Sequence, residues 1–495
     1  MQDGSPKEAN LHATQSSGRI ILIWRDGIWS FADGWRHGAG WCATLWRVFE
    51  HYAKRVHLVP RLRERLAFVP FNLGHPVWVK DPDFDIKNHI VHVPLPEGSS
   101  EDDAIAMALE LNEGVMPRDI PLWKFFVITG VPDRTYVLQQ AHHAMVDGAS
   151  AIQMTTMLFD FDPAHEPPPE EEPWNPPPLP SSATLVSEAM QENLEEISRL
   201  NQSVAKGAAP DSRNMLQHGL AAMSRFFTRS AITAPWNAAM IGPKRAIETR
   251  IFELASFREI RRAFGGTIND VALAAVSEGC ARYLEREGEH VADQHLRVMC
   301  PVNIRTEDEA GMIGNKVSAI FPLLPAYSLD IQDRYRNVVV ETNRIKHDQE
   351  AQAMALMQEV SPSVPAMIMA PLLVVGTPFD PTRLGAAFPA PPPPSWMPRM
   401  PNFGVNFVIT NVPGVQVPQY IAGCEVLDQR AIMMIGGNMG LGSVVTSYNQ
   451  KMIISFTCEP RLLPNLEDLV AAFEEAYDEL LAAAREHFDN TAHSA

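Results

Sequence analysis

The chain has 495 residues, enough for two domains of ordinary size with a large buried core, and its 46% hydrophobic and 20% charged residues suit a globular protein. A net charge of −18 and a pI near 5.3 disfavour a general nucleic-acid binder, which needs a basic surface, but leave room for a local basic patch. Five cysteines (Cys42, Cys280, Cys300, Cys424 and Cys458) lie far apart without a CxxC pair, so they suggest buried thiols in a reducing compartment, not a zinc knuckle or disulfide framework.

The opening MQDGSPKEANLHATQ is polar and lacks the apolar core of a signal peptide. RIILIWR (19–25) then reads as a strand, and CATLWRVFEHYAKRV (42–56) as a helix with Leu45, Val48, Phe49 and Tyr52 on one side. WKFFVIT (123–129) and RTYVLQQ (134–140) form a hairpin around GVPD. Two histidines follow directly, and ASAIQMTTMLFD after Gly148 continues as a helix.

The proline-dense segment PAHEPPPEEEPWNPPPLP (163–180) sustains neither helix nor sheet, and Glu170–Glu172 keep it solvated. A helix follows in ATLVSEAMQENLEEISRL. A second half opens near GPKRAIETRIFEL (242–254) and contains a helix starting at Asn269, with strands in HLRVMCPVN, GVNFVITNV and KMIISFTC.

No run reaches the roughly 18–20 apolar residues that span a bilayer. The closest, PAMIMAPLLVVG (365–376), reads as a buried core segment or, more sharply, as a lipid-facing surface or the wall of an acyl tunnel, and FPAPPPPSWMPRMP (388–401) as an exposed loop. The last helix, from about Asn465, places Leu466, Leu469, Val470, Phe473, Tyr477, Leu480 and Leu481 at i, i+3, i+4 spacing.

The expected division is therefore residues 1–162, a linker and helical connector over 163–241, a second half over 242–487 and a tail over 488–495. The fold class is α/β, two layers meeting across a cleft. The chain is expected to be cytoplasmic, soluble or peripheral at a membrane.

HHAMVDG, from His142 to Gly148, sits between the strand and the helix. Adjacent histidines on an extended segment point to opposite sides, unlike the convergent pair of a helical HExxH, so no metal site is expected. No GxSxG elbow is present for a serine nucleophile. General-base chemistry fits better, because a neutral imidazole in an apolar cleft can take a proton from an alcohol and later return it. One ring would face the cleft while the other packs behind it. Asp147 would either hold a tautomer or brace the loop; spacing alone leaves both readings, and a purely structural pair, open.

The motif resembles the HHxxxDG signature of the CoA-dependent acyltransferase superfamily. With PRLRERL, PVWVKDPDFDIKNHI, PLW (121–123), GGTINDVALAAV, PVNIR, GNKVS, TNVPGV and TSYNQKMIISFTCEP in order, the chain from about 19 to 485 is similar to the bacterial wax ester synthase/diacylglycerol acyltransferase family. The resemblance implies two chloramphenicol-acetyltransferase-like halves enclosing a substrate tunnel. It implies His143 as general base, His142 in support, Asp147 and Gly148 as structural elements of the site, and an arginine partner for Asp147, for which Arg305 is the candidate.

Asn269 and Asp270 match the family's ND pair, although Asn269 as a helix N-cap and Asp270 in the first turn need no chemistry. Asn411 and Ser447 are candidates for the tunnel lining. Lys244 and Arg245, or Arg261 and Arg262, would face CoA phosphates or simply water.

The implied reaction is transfer of a long-chain acyl group from acyl-CoA, a co-substrate, to diacylglycerol, a long-chain alcohol or both. It proceeds without a covalent intermediate, metal or permanently bound cofactor, at a membrane or lipid-droplet surface. The rival readings are the same fold acting on another hydroxyl or amine, and a non-catalytic lipid binder. The chain departs from the family in lacking an SPxDAxF-like opening, in MPRD before PLW, and in Gln450, where glycine is usual.

Overall fold

The computed structural model describes residues 17–25, 43–114, 116–145, 148–170, 173–206, 229–237, 241–303, 317–348, 404–436 and 438–492. The first half contains β1 (Ser17–Arg25), α1 (Ala43–Ala53), β2 (Glu64–Ala67), β3 (Val77–Lys80), β4 (Ile90–Pro94), α2 (Glu101–Asn112), β5 (Trp123–Thr129), β6 (Arg134–His142), α3 (Gly148–Leu158) and α4 (Ser182–Lys206). The apolar face of α1 is buried as its spacing predicts, through Leu45, Val48, Phe49 and Tyr52. Burial of each such side chain is worth about 1.5–3 kcal/mol.

The second half contains β7 (Ala246–Glu253), α5 (Leu254–Phe264), α6 (Ile268–Arg286), β8 (His295–Asn303), β9 (Val317–Ile320), β10 (Leu323–Pro325), α7 (Ile331–His347), β11 (Phe407–Pro413), β12 (Tyr420–Ile421), β13 (Cys424–Ile432), β14 (Leu441–Tyr448), β15 (Lys451–Cys458) and α8 (Leu466–Ala492). The terminal helix runs past residue 487, where the tail was expected. Among the described residues no helix is long and apolar enough to cross a membrane.

One sheet has the order β10-β8-β11-β14-β15-β7, with β9 also on β8. Its helix-covered face supplies Met452, Ile454, Phe456 and Cys458, which share a core with Phe473 and Tyr477 of α8. The intervening Ile453 belongs instead to a core shared with the first half. Burial on both faces explains why KMIISFTC reads as a nearly continuous apolar run. Gly279 of α6 lets α8 approach closely, since a Cβ there would lie 2.8 Å from the Phe473 backbone.

The other sheet has the order β12-β13-β1-β6-β5-β4. Two of its strands thus come from the second half of the sequence, and β13 pairs with β1 from Arg19↔Ile432 to Trp24↔Val426. The chain crosses back over the boundary between the halves, so the sheets do not each belong to one half.

A buried polar cluster seats this crossover. Arg55 Nη2 lies 2.7 and 2.9 Å from the two Asp160 carboxylate oxygens, and the Asp160 backbone exchanges hydrogen bonds of 2.8 and 2.9 Å with Tyr420. Beside them His51 Nε2 lies 2.8 Å from the Leu158 carbonyl, and its Nδ1 accepts the Ala422 N–H at 3.0 Å. A ring that accepts at Nδ1 and donates at Nε2 is neutral.

The proline-dense segment contains no helix or strand among its described residues. It is nonetheless fixed: Arg63 bonds Glu170 at 2.6 Å and lies 4.0 Å over the Trp174 ring, whose Nε1–H donates to the Asp81 carbonyl. Glu170, expected to keep the linker solvated, remains exposed while it also pairs with a largely buried guanidinium.

Burial, followed by the nearby Arg55 charge, pushes His51 down from 6.5 to about 3. Below about pH 6.5 the unfolded chain therefore takes up a proton that the folded ring refuses until about pH 3, and stability falls across that window. Between pH 7 and 5 the wild type should lose about 2 kcal/mol more unfolding free energy than His51→Gln, read from urea titrations.

Candidate active site

Strand β6 ends at His142, whose N–H donates to the Leu122 carbonyl at 2.9 Å. Leu122 and Trp123 of the PLW tripeptide are fully packed. The Trp123 indole donates to the Leu62 carbonyl at 2.7 Å and stacks on His89 with ring centroids 4.4 Å apart. PLW therefore holds the backbone next to the histidines.

The chain then turns, with Met145 N–H on the His142 carbonyl at 2.9 Å, which puts His143 at the first corner. The buried His142 ring accepts the Ala144 N–H at Nδ1, 3.1 Å away. A neutral His142 ring consequently carries its proton at Nε2. His143 is half-buried. Asp147 lies outside the described residues, as do Arg305 and the segments 365–376 and 388–401. Gly148 is the first residue of α3.

Helix α3 directs the turn toward the second half. Ile152 Cδ1 lies 3.7 Å from where a Cβ on Gly414 would sit, and the same Cβ would meet the Ser447 carbonyl oxygen at 2.2 Å. Ser447 Oγ accepts the Gly414 N–H at 3.2 Å and the Gln416 amide at 2.7 Å. Gln416 in turn accepts the Gln450 N–H, and the Gln450 amide donates to the Gln416 carbonyl, each at 3.1 Å.

Asn449 and Gln450 both have positive φ, 46° and 64°, as a two-residue hairpin turn of this kind requires. The bonds to Gln416 hold Gln450 in a conformation usually left to glycine. Neighbouring Tyr448 donates to the Val426 carbonyl and accepts the Gln419 N–H, both at 2.8 Å, and burial pushes its hydroxyl up to about 12. Asn411 is on β11, three residues before Gly414, opposite Val445.

The ND pair is elsewhere, at the start of α6. The N-cap is Thr267, not Asn269, because TIND forms a capping box: Thr267 Oγ1 accepts the Asp270 N–H, and Asp270 Oδ2 accepts the Thr267 N–H at 2.8 Å. The other Asp270 oxygen accepts from Thr342 of α7 at 2.9 Å. Asn269 is a partly exposed residue of the first helical turn.

Arg245 is held by the Gly242, Lys244 and Ile435 carbonyls, while Lys244, Arg261 and Arg262 are exposed. Burial pushes the Cys280, Cys300 and Cys458 thiols up to about 12, so they are protonated at neutral pH. Among the described residues no His, Cys, Asp or Glu cluster could hold a metal.

Gln416 and Gly414 join Ser447 through contacts that local sequence does not announce. Two positive-φ residues without a glycine in SYNQ are the only local hint, and the partner lies 34 residues away.

Residues 32–272 match the wax ester synthase/diacylglycerol acyltransferase catalytic domain, and residues 313–481 match the C-terminal domain of the same family. A protein of Mycobacterium tuberculosis strain CDC 1551, assigned as a diacylglycerol O-acyltransferase, is 27% identical over 456 residues, covering 92% of this chain and 90% of its own. Another, from strain H37Rv, is 26% identical over 439 residues, with 88% and 87% coverage.

Among solved structures, the wax ester synthase/diacylglycerol acyltransferase of Marinobacter aquaeolei VT8 has a TM-score of 0.58 at 19% identity and covers 94% of both chains. A variant of the starter condensation domain of rhizomide synthetase, in complex with C8-CoA and Leu-SNAC, has a TM-score of 0.55 at 12% identity, with 95% and 89% coverage. These likenesses establish the expected two-halved α/β fold.

Because the Gly414–Ser447 approach leaves no room for a side chain, Gly414→Ala should displace the 411–416 segment. Turnover should fall by about tenfold or more while the circular dichroism spectrum is retained.

Proposed function

Because the chain belongs to the wax ester synthase/diacylglycerol acyltransferase family, an acyltransferase family, we propose that it moves a long-chain acyl group from acyl-CoA to diacylglycerol, a long-chain alcohol or both, with His143 as the general base. The observation that carries this reading is the family match on both sides of a site built from strand ends of the two halves. The His142–His143 turn leads through α3 to Gly414 and Ser447.

In the proposed reaction His143 accepts the proton of the bound hydroxyl as its oxygen attacks the thioester carbonyl. The tetrahedral oxyanion collapses, the carbon–sulfur bond breaks, and the CoA thiolate leaves with the proton returned by His143. His142 supports the turn, its Nδ1 being occupied by the Ala144 N–H. Asp147, with Arg305 as candidate partner, braces the loop. Asn411 and Ser447 belong to the tunnel wall, Ser447 as an acceptor that keeps Gln416 and Gly414 in place. The reaction needs no metal and no resident cofactor, and it takes place peripherally at a membrane or lipid droplet, where such acceptors reside.

With palmitoyl-CoA and a panel of diacylglycerol, hexadecanol and amines, the wild type should esterify diacylglycerol, hexadecanol or both. His143→Ala should lower kcat/KM by about 10²–10⁴-fold with the fold intact. Full activity in that variant would sink the general-base role, turnover of amines alone would redirect the acceptor, and no turnover by the wild type would leave a lipid-binding member of the fold.

A further inference from the structure

The hairpin joining β2 to β3 carries an unusual tip. Residues 66–79, LAFVPFNLGHPVWV, contain no Asp, Glu, Lys or Arg. Phe71 is 91% exposed and Phe68 45% exposed. Phe71 also has φ 59° and ψ 15°, a left-handed conformation that a bulky residue rarely adopts. A water-facing loop gains nothing from an aromatic ring held there.

Helix α4 continues the surface. Asn193 donates to the Leu73 carbonyl at 2.8 Å, and a Cβ on Gly74 would lie 2.7 Å from the Ala189 Cβ, so helix and tip are in direct contact. Val69, Leu185 and Ala189 fill the joint. On the flank of that contact, one turn apart, Met190 is 57% and Leu194 68% exposed. Exposed apolar side chains such as Val340 on α7 and Phe488 on α8 lie on other elements.

We infer that this face docks on an electrically neutral lipid surface, with the tip entering the head-group region and Phe71 leading. The charge distribution selects this occupant. The tip itself carries no Asp, Glu, Lys or Arg, the arginines at the base of the hairpin are paired (Arg61 with Glu64, Arg63 with Glu170, Arg65 with Asp81), and the chain carries a net charge of −18, so anionic head groups are repelled overall and the tip offers them no basic patch. Apolar area alone drives the binding, as for interfacial elements that sink a few ångströms into a bilayer. The inference rests on the proposed acyl transfer only in that a diacylglycerol or long-chain alcohol is drawn from such a surface.

The test is flotation of the full-length protein with phosphatidylcholine vesicles, with and without phosphatidylglycerol. The wild type should bind the neutral vesicles, hold on in high salt, and bind less as anionic lipid is added. Asparagine tolerates the left-handed conformation, so Phe71→Asn combined with Leu194→Ser should fold normally, lower the partition coefficient by about tenfold or more, and keep wild-type turnover of a short water-soluble alcohol.

The proposal is overturned by absence of wild-type binding, by unchanged binding of the double variant, or by binding that rises with anionic lipid. It is equally overturned if the double variant abolishes a stable dimer, because the face would then cover a second copy. Failure of every acceptor assay would overturn the acyl-transfer reading and leave the vesicle result standing.

Discussion

Arg55 grips the Asp160 carboxylate in a site almost closed to water, and the same aspartate pairs its backbone with Tyr420. Two dry charges held this way are costly to separate, because either one left alone keeps the desolvation cost without its partner. The end of α3 is thereby fixed to the start of the crossover that carries β12 and β13 into the first sheet. His51 adds two neutral bonds on either side of the same joint. Since α3 begins just after the histidine turn and lies against Gly414, this buried pair ties the far end of that helix to the crossover from the second half.

Around Ser447 the structure relies on polar contacts whose partners are close in space and distant in sequence. Ser447 binds Gln416 and Gly414, Gln416 stabilises the positive-φ turn at Gln450, and Tyr448 ties β14 to β13. Such a network sets geometry more than it adds stability, since each bond replaces one to water. It also accounts for the departure of SYNQ from glycine: the strain at Gln450 is offset by two bonds that a glycine would not need in full.

Much of the architecture was legible because it follows from short-range periodicity. The faces of α1 and α8, the β5–β6 hairpin, the helix after Gly148 and the absence of helix or strand among the described residues of the proline segment all rest on neighbours within a few residues. Asp270 was legible only in part. TIND contains a complete capping box, and reading Asn269 as the cap overlooked the threonine two positions earlier that pairs with the aspartate. The clasp of Arg63 and Trp174 on the linker left no local trace, because composition says that a segment is extended and not where it lies.

By itself the sequence determined the longer helices, several strands, the family and the histidine pair at a strand end, because hydrophobic spacing and ordered motifs are local properties of the chain. Only the tertiary structure decided that β13 inserts beside β1, that His51 is a neutral bridge, and that Gly414 and Gln416 gather at Ser447 beside the helix that follows the histidines. Trp24 pairs with Val426 across some 400 residues of chain, and no local pattern encodes that choice.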